Sequence, residues 1–192
     1  MTLPAWVPAA ERKPAPEPLL LVQSFVNTAE LDLGTDLLAD PGQATAWLRQ
    51  CGLLGPQETA GAVDLSMARE VREGIRAMLA YHSGGPAPSA ADLRPLEAVA
   101  GRSQLWLTFG PAGRVQLDPR PHGELAGGLA GLLLIIRDAQ QDGTWARLKS
   151  CPGHLCGWAF YDRSASGQSR WCSMQLCGSR AKMRAYRGRL AQ

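Results

Sequence analysis

The sequence predicts an α+β chain: a mostly helical N-terminal domain carrying one β-hairpin, followed by a small module tied together by cysteines. Three observations predict it. Apolar residues recur at helical spacing over most of the first 145 residues. The spacing changes to a period of two only around Leu105–Phe109 and Arg114–Leu117. Four of the five cysteines then fall in the last 42 residues, as two matching pairs.

Residues 1–18 are rich in Pro and Ala and read as a flexible N-terminal arm. Residues 19–29, LLLVQSFVNTA, open the folded part; their spacing fits a short helix, with a strand as the alternative. Asp32, Gly34, Asp40 and Pro41 mark a loop over 30–41. A helix over Ala44–Cys51 stops at Gly52, the usual post-helix glycine. A longer helix, capped by Asp64 or Ser66, runs through Tyr81. Leu65, Val71, Ile75, Met78 and Leu79 form its apolar side, and Arg69, Glu70, Arg72, Glu73 and Arg76 its expected solvent side. Gly84, Gly85, Pro86 and Pro88 end it, and Ser89 caps the next helix, Ala91–Ala100.

The two period-2 runs flank Gly110-Pro111-Ala112-Gly113, a hairpin turn. Gly123–Gln141 is expected to be a buried helix. Its apolar run, Leu125–Ile136, is shorter than the roughly 18–20 residues of a membrane span. Gly127, Gly128 and Gly131 let it approach its neighbours closely. The boundary falls near Asp142–Leu148, giving a domain over 19–145 and a module over 146–192.

The net charge of +3 is unevenly divided. Between Arg147 and Gln192 there are nine Lys or Arg against one acid, Asp162, a charge of +8 that leaves −5 for the rest. Such a split points to a polyanion-binding tail on an acidic body, the alternative being a solvated basic face. Residues 1–18 lack the order of a secretory signal, so the chain is expected to be cytoplasmic, with no membrane contact and with reduced cysteines.

Cys151 and Cys156 form one C-x4-C pair and Cys172 and Cys177 a second, fifteen residues on. Four thiolates in two short knuckles suit one tetrahedral zinc. Trp158–Tyr161 reads as a strand, Asp162–Ser169 as a turn, and residues 158–171 as a hairpin between the knuckles. With a helix, Arg180–Leu190, after the last cysteine, the order is treble-clef-like. Two disulfides, an iron–sulfur cluster, or His154 in place of one cysteine are the alternatives; Cys51, His82 and His122 read as core or surface residues. A four-cysteine shell leaves no open position for catalysis, so the metal is expected to be structural. No catalytic motif is present, and the chain is not expected to be an enzyme.

On the last helix, Met183, Tyr186 and Leu190 are expected to pack on the zinc core. Arg180, Arg184 and Arg187 share another side, flanked by Lys182 and Arg189. Arg180, Lys182, Arg184 and Arg187, with Arg170 at the hairpin, are the candidate nucleic-acid contacts, because clustered bases become favourable when they neutralise phosphates.

GWAFYDRS and RWCSMQLCGSRAKMRAYR, following the first C-x4-C pair, resemble the CGNR zinc finger over about Leu148–Arg189. The body resembles the ABATE domain that precedes that finger, at SFVNT (Ser24–Thr28) and the W-L-x-x-x-G-L stretch Trp47–Leu53. The resemblance implies a bacterial, stress-linked transcription regulator that binds DNA through the finger. It carries the family's cysteines onto Cys151, Cys156, Cys172 and Cys177, and its Gly and Arg onto Gly178 and Arg180. The family's Asn is replaced by Ser179, which keeps a hydroxyl for a local backbone bond but loses the bidentate amide contact to adenine.

The expected function is therefore DNA binding by the module. The alternative is a zinc-stabilised protein-interaction module with a ligand-binding N-terminal domain. In either case the body is expected to fold without zinc. A small-molecule effector or a homodimer contact in the body would re-aim the finger through the short link Gln141–Leu148.

Overall fold

The computed structural model describes residues 3–120 and 124–190. Five helices build the body: α1 (Leu19–Val26), α2 (Pro41–Gln50), α3 (Ala62–His82), α4 (Ala90–Arg102) and α5 (Leu125–Gln141). The longest, α3, packs against α1, α4 and α5. Its start is fixed by Gly61, whose amide is accepted by Asp64, and α4 starts at Ser89 through a reciprocal bond with Asp92. α2 begins earlier than expected, at Pro41, because the Asp40 side chain caps it. No apolar residue of α5 is fully exposed, as its composition requires. A Cβ on Gly128 would run into the Leu53 carbonyl, so only glycine lets α5 lie against that loop. The expected start at Gly123, and His122, lie outside the described residues. Among the described residues no helix is long and apolar enough to cross a membrane.

The strands are short and all antiparallel. β1 (Ala29–Glu30) pairs with β2 (Thr35–Asp36), and β3 (Gln104–Phe109) with β4 (Val115–Arg120). The latter is the expected hairpin, with Leu107 opposite Leu117 and Phe109 opposite Val115. β5 (Leu148–Ser150) pairs with β6 (Ala159–Tyr161), and all six of these residues are buried.

Two expectations about α3 and the arm are corrected. Arg72 and Arg76 do not face solvent; both are buried in the core side of α3. Burial of a guanidinium demands acceptors, and every nitrogen of both has at least one. Arg72 grips Asp36 through two bonds of 2.6 and 2.9 Å and also reaches Thr28 and Glu73. Arg76 donates to the carbonyls of Val26 (2.8 Å) and Gly157 (2.6 Å) and to Glu73. The arm, in turn, is packed rather than loose. Trp6 and Val7 lie on the core, the Trp47 indole donates to the Trp6 carbonyl at 2.8 Å, and Ala15 is buried. Prolines leave fewer amides to satisfy and preset an extended path, so a Pro-rich segment can lie against a surface as well as leave it.

The boundary at 142–148 separates two sequence patterns, but the body's core runs across it, and a second, smaller cluster forms around the cysteines. Trp145, Leu148, Ala159 and Tyr161 belong to the same hydrophobic cluster as Leu20, Phe25, Ile75 and Leu129. Trp145 packs edge-on to His82 of α3, with ring centroids 5.2 Å apart. Both edges of the β5–β6 ribbon are covered. Along β5, Ser83 donates to the Ser150 carbonyl at 2.5 Å and His82 Nδ1 lies 2.7 Å from the Leu148 carbonyl. Along β6, the Tyr161 amide donates to the Lys13 carbonyl, and Gln23 of α1 and Asn27, just past the end of α1, bond Ala159. The link thus gives the finger no hinge on which to be re-aimed.

Candidate metal centre and nucleic-acid interface

The first cysteine pair occupies the turn of the β5–β6 hairpin. Cys151 follows β5 directly and its amide donates to the Trp158 carbonyl at 2.9 Å, extending the ladder; Cys156 lies on the return. The expected hairpin between the knuckles is therefore displaced: β6 pairs backward with β5 rather than forward with the residues before Cys172. Residues 162–169 instead fold around Asp162, which is fully buried. Its carboxylate accepts from Lys149 Nζ (2.9 Å) and from the amides of Ser164 (3.0 Å) and Ser169 (2.8 Å). Burial raises its pKa, but the bonds from Ser164 and Lys149 outweigh burial and hold it well below the usual carboxylate range. Cys172 then precedes, and Cys177 lies within, a single wide turn, Met174–Gly178, that runs straight into α6 (Ser179–Leu190).

The four Sγ atoms all lie within 4.8 Å of one another. Cys172 Sγ is 3.7 Å from both Cys156 Sγ and Cys177 Sγ. A tetrahedral ion with sulfur bonds of about 2.3 Å has sulfur–sulfur edges of about 3.8 Å, whereas a disulfide needs about 2.05 Å. The donor set therefore fits one structural zinc. Gly153 helps to make the room: a Cβ there would stand 3.1 Å from Cys177 Sγ. Phe160, Trp158 and Trp171 form the apolar wall.

Four thiols this close cannot ionise independently. Hydrogen bonds from Cys156 and Cys172 pull the Cys151 thiol down to about 2. Contact with Cys151 pushes Cys156 up to about 12 and Cys172 higher still, while burial raises Cys177. One divalent cation resolves that conflict by letting all four be thiolates. His154 is exposed and outside the cluster. Cys51 lies away from it, and burial pushes its thiol up to about 12.

α6 carries five bases, Arg180, Lys182, Arg184, Arg187 and Arg189, and no acid. Arg180 and residues 182–189 are exposed. Met183 and Tyr186, expected to pack on the zinc core, are 51% and 52% exposed; the Leu190 side chain lies outside the described residues. The reason is positional: among the described residues, the substantial contacts of α6 with other elements are those with the Met174–Gly178 turn. The helix is polar on most sides and held mainly at its metal end.

The remaining bases of the segment divide. Lys149 and Arg147 serve the fold, bonding Asp162 and the 162–169 loop. Arg163 donates to the Pro14 carbonyl. Arg170 is exposed, with its guanidinium over the Trp171 ring at 5.7 Å. Arg180 lines a cavity of about 180 Å³ together with Glu11, Glu30 and Asp32, so it faces acids that Arg184 and Arg187 do not share. Ser179 Oγ donates to the Met174 carbonyl at 3.2 Å, the local backbone bond its hydroxyl allows.

Three contributors carried no chemical signal in the sequence. Lys13 Nζ donates to the Trp171 carbonyl at 2.9 Å, one residue before a ligand, and sits 5.0 Å above the Phe160 ring. Asn27 holds β6, and Arg76 holds Gly157 beside the first knuckle. Asn27 falls within the SFVNT stretch, but nothing in the composition marked Lys13 or Arg76 as a support of the metal site.

Comparison with known families gives two matches. The ABATE family model, described as "Putative stress-induced transcription regulator", matches residues 20–141. The CGNR zinc finger model matches residues 147–190. A search of curated proteins finds no match.

Proposed function

The chain belongs to the ABATE family, and from that premise we propose that it is a non-catalytic, DNA-binding regulator of transcription whose α6 lies against the duplex. One observation carries this reading: a twelve-residue helix with five bases and no acid is fixed at one end by a metal turn and left exposed along its length. Like charges at that density repel one another in water and gain when they displace counterions from phosphates. Arg184 and Arg187, with Lys182, are the principal contacts, and Arg180 and Arg170 flank them. The acidic balance of the body keeps nonspecific DNA contact on the finger.

The test is fluorescence anisotropy of zinc-loaded, full-length protein on duplex DNA across a salt series. Log affinity falls against log salt by about 0.9 per phosphate contacted. A flat salt dependence, or no binding at low salt, overturns the reading.

A second reading rests on a different observation. Met174, Leu176, Met183 and Tyr186 are each about half exposed on or next to the same helix. A surface mixing bases with methionine and tyrosine also suits an acidic protein with an apolar ridge. In that case Met183→Ser weakens binding to the protein partner and leaves DNA affinity unchanged.

A further inference from the structure

We infer that the β3–β4 hairpin is the surface on which two copies of this chain pair. The inference does not depend on DNA binding. It begins with alternation: Leu105, Leu107 and Phe109 alternate along β3, with Leu117 opposite Leu107 and Val115 opposite Phe109, so these five occupy one face of the ribbon, and none is charged. In antiparallel strands that pattern belongs to a face that is covered. Here Leu105 is 50%, Leu107 63%, Phe109 74% and Val115 56% exposed.

The contrast with β5–β6 is direct. That ribbon has both edges closed by Ser83, His82, Lys13, Gln23 and Asn27. Among the described residues, β3 and β4 pair only with each other, and no strand lies on either outer edge. The ribbon rests on α5 through β4, which leaves β3 without such a support, and open edges seek strands.

The occupant that meets both needs is the same ribbon from a second copy. An uncharged apolar face gives no purchase to a nucleic acid or to a charged peptide. It is complementary to itself, as is an open antiparallel edge, and a two-fold axis closes such a contact at two copies. The groove beside the hairpin carries both signs, Arg114 and Arg137 with Asp118, Asp138 and Asp142, so its net charge is too small to drive two copies apart. The area is also sufficient. The four exposed side chains offer on the order of 450 Å² of apolar surface per copy, about the apolar share of the roughly 800 Å² that each partner gives to a standard interface.

Sedimentation equilibrium of full-length, zinc-loaded protein over a micromolar concentration series tests the inference. The expected result is a monomer–dimer equilibrium for the wild type. Leu107→Lys with Phe109→Lys is expected to weaken association by more than about tenfold, with helix content and zinc unchanged. Val63→Lys, at an even more exposed apolar position on α3, is expected to leave association as it was. A monomer at all concentrations, or a dimer that survives the double substitution, overturns the inference. Amide exchange of the wild type keeps it falsifiable should the double variant misfold. Protection of Gln104–Phe109 and Val115–Arg120 that rises with concentration supports pairing, and concentration-independent exchange overturns it.

Discussion

Asn27 and Ala159 bond each other in both directions. The Ala159 amide donates to Asn27 Oδ1 at 2.7 Å, and Asn27 Nδ2 donates to the Ala159 carbonyl at 2.9 Å. A primary amide side chain here does what a neighbouring strand's peptide does, and it does so from the end of α1, 132 residues earlier. Gln23 adds a third bond to the same carbonyl, at 3.2 Å.

Asn27→Ala leaves a buried amide without its partner and weakens the hold on a buried carbonyl. Each orphaned group costs about 1–3 kcal/mol, so the variant is expected to lose about 2–4 kcal/mol. Because β6 belongs to the common core, urea melts read from the body and from zinc release should shift together. A shift in only one of the two would mean that body and finger are held independently.

Metal analysis of reduced protein should give one zinc per chain. Cys172→Ser should release it and loosen the Met174–Gly178 turn with α6, as metal binding supplies much of a small module's folding free energy. β5 and β6 should stay protected in amide exchange, because their support comes from α1 and α3. Loss of protection throughout α3 would show that the metal holds the whole chain.

Arg184→Ala and Arg187→Ala should each weaken DNA binding on all sequences alike and lower the salt slope by about one. Arg180→Ala should do less, since Arg180 shares its cavity with Glu30 and Asp32. Anisotropy with the single variants at matched salt checks the order. An undiminished affinity after Arg184→Ala and Arg187→Ala together would transfer the site to a protein partner.

Asp162 sets an acid limit. Its folded pKa lies below the ordinary carboxylate value, so its stabilising contribution is complete above the unfolded pKa of about 4. The contribution fades as pH falls from there toward the folded value. Asp162→Asn removes it at neutral pH and strands the Lys149 ammonium, which is 8% exposed. Breaking a buried pair costs about 3–5 kcal/mol. The difference in urea midpoint between wild type and variant, followed from pH 7 downward, should shrink below about pH 4. A constant difference would mean that the carboxylate charge plays no part. Taking the difference cancels protonation of the metal ligands, which is common to both proteins.

The helices and the cysteine cluster were legible because each leaves a periodic or chemical trace: α3 and α5 in apolar spacing, the metal site in two equal C-x4-C pairs. The hairpin was legible from Gly110 to Gly113 and the alternation around it. Arg72 and Arg76 were not, because a buried guanidinium with an acceptor at each nitrogen has the same sequence signature as a solvated one. The packed arm was hidden for a similar reason: its contacts are made by backbone groups of Trp6, Lys13 and Ala15 and by scattered side chains such as Trp6, Val7 and Lys13 that follow no helical or strand spacing. Met183 and Tyr186 have the spacing of a buried stripe, yet spacing cannot say what lies opposite, and both stay about half exposed.

The sharing of one core across residues 142–148 bears on how such chains can be recombined. The finger is not a transplantable cassette. Moved to an unrelated body, residues 147–190 would carry their four cysteines but leave behind the Lys13, Gln23 and Asn27 that line β6, the Ser83 that caps β5, and the Arg76 that holds Gly157. A graft that keeps the metal site in its native frame must bring residues 11–27 and the C-terminal half of α3 with it. A body cut at residue 146 loses Leu148, Ala159 and Tyr161 from its own interior. Inheritance of the two segments as a pair follows from their packing.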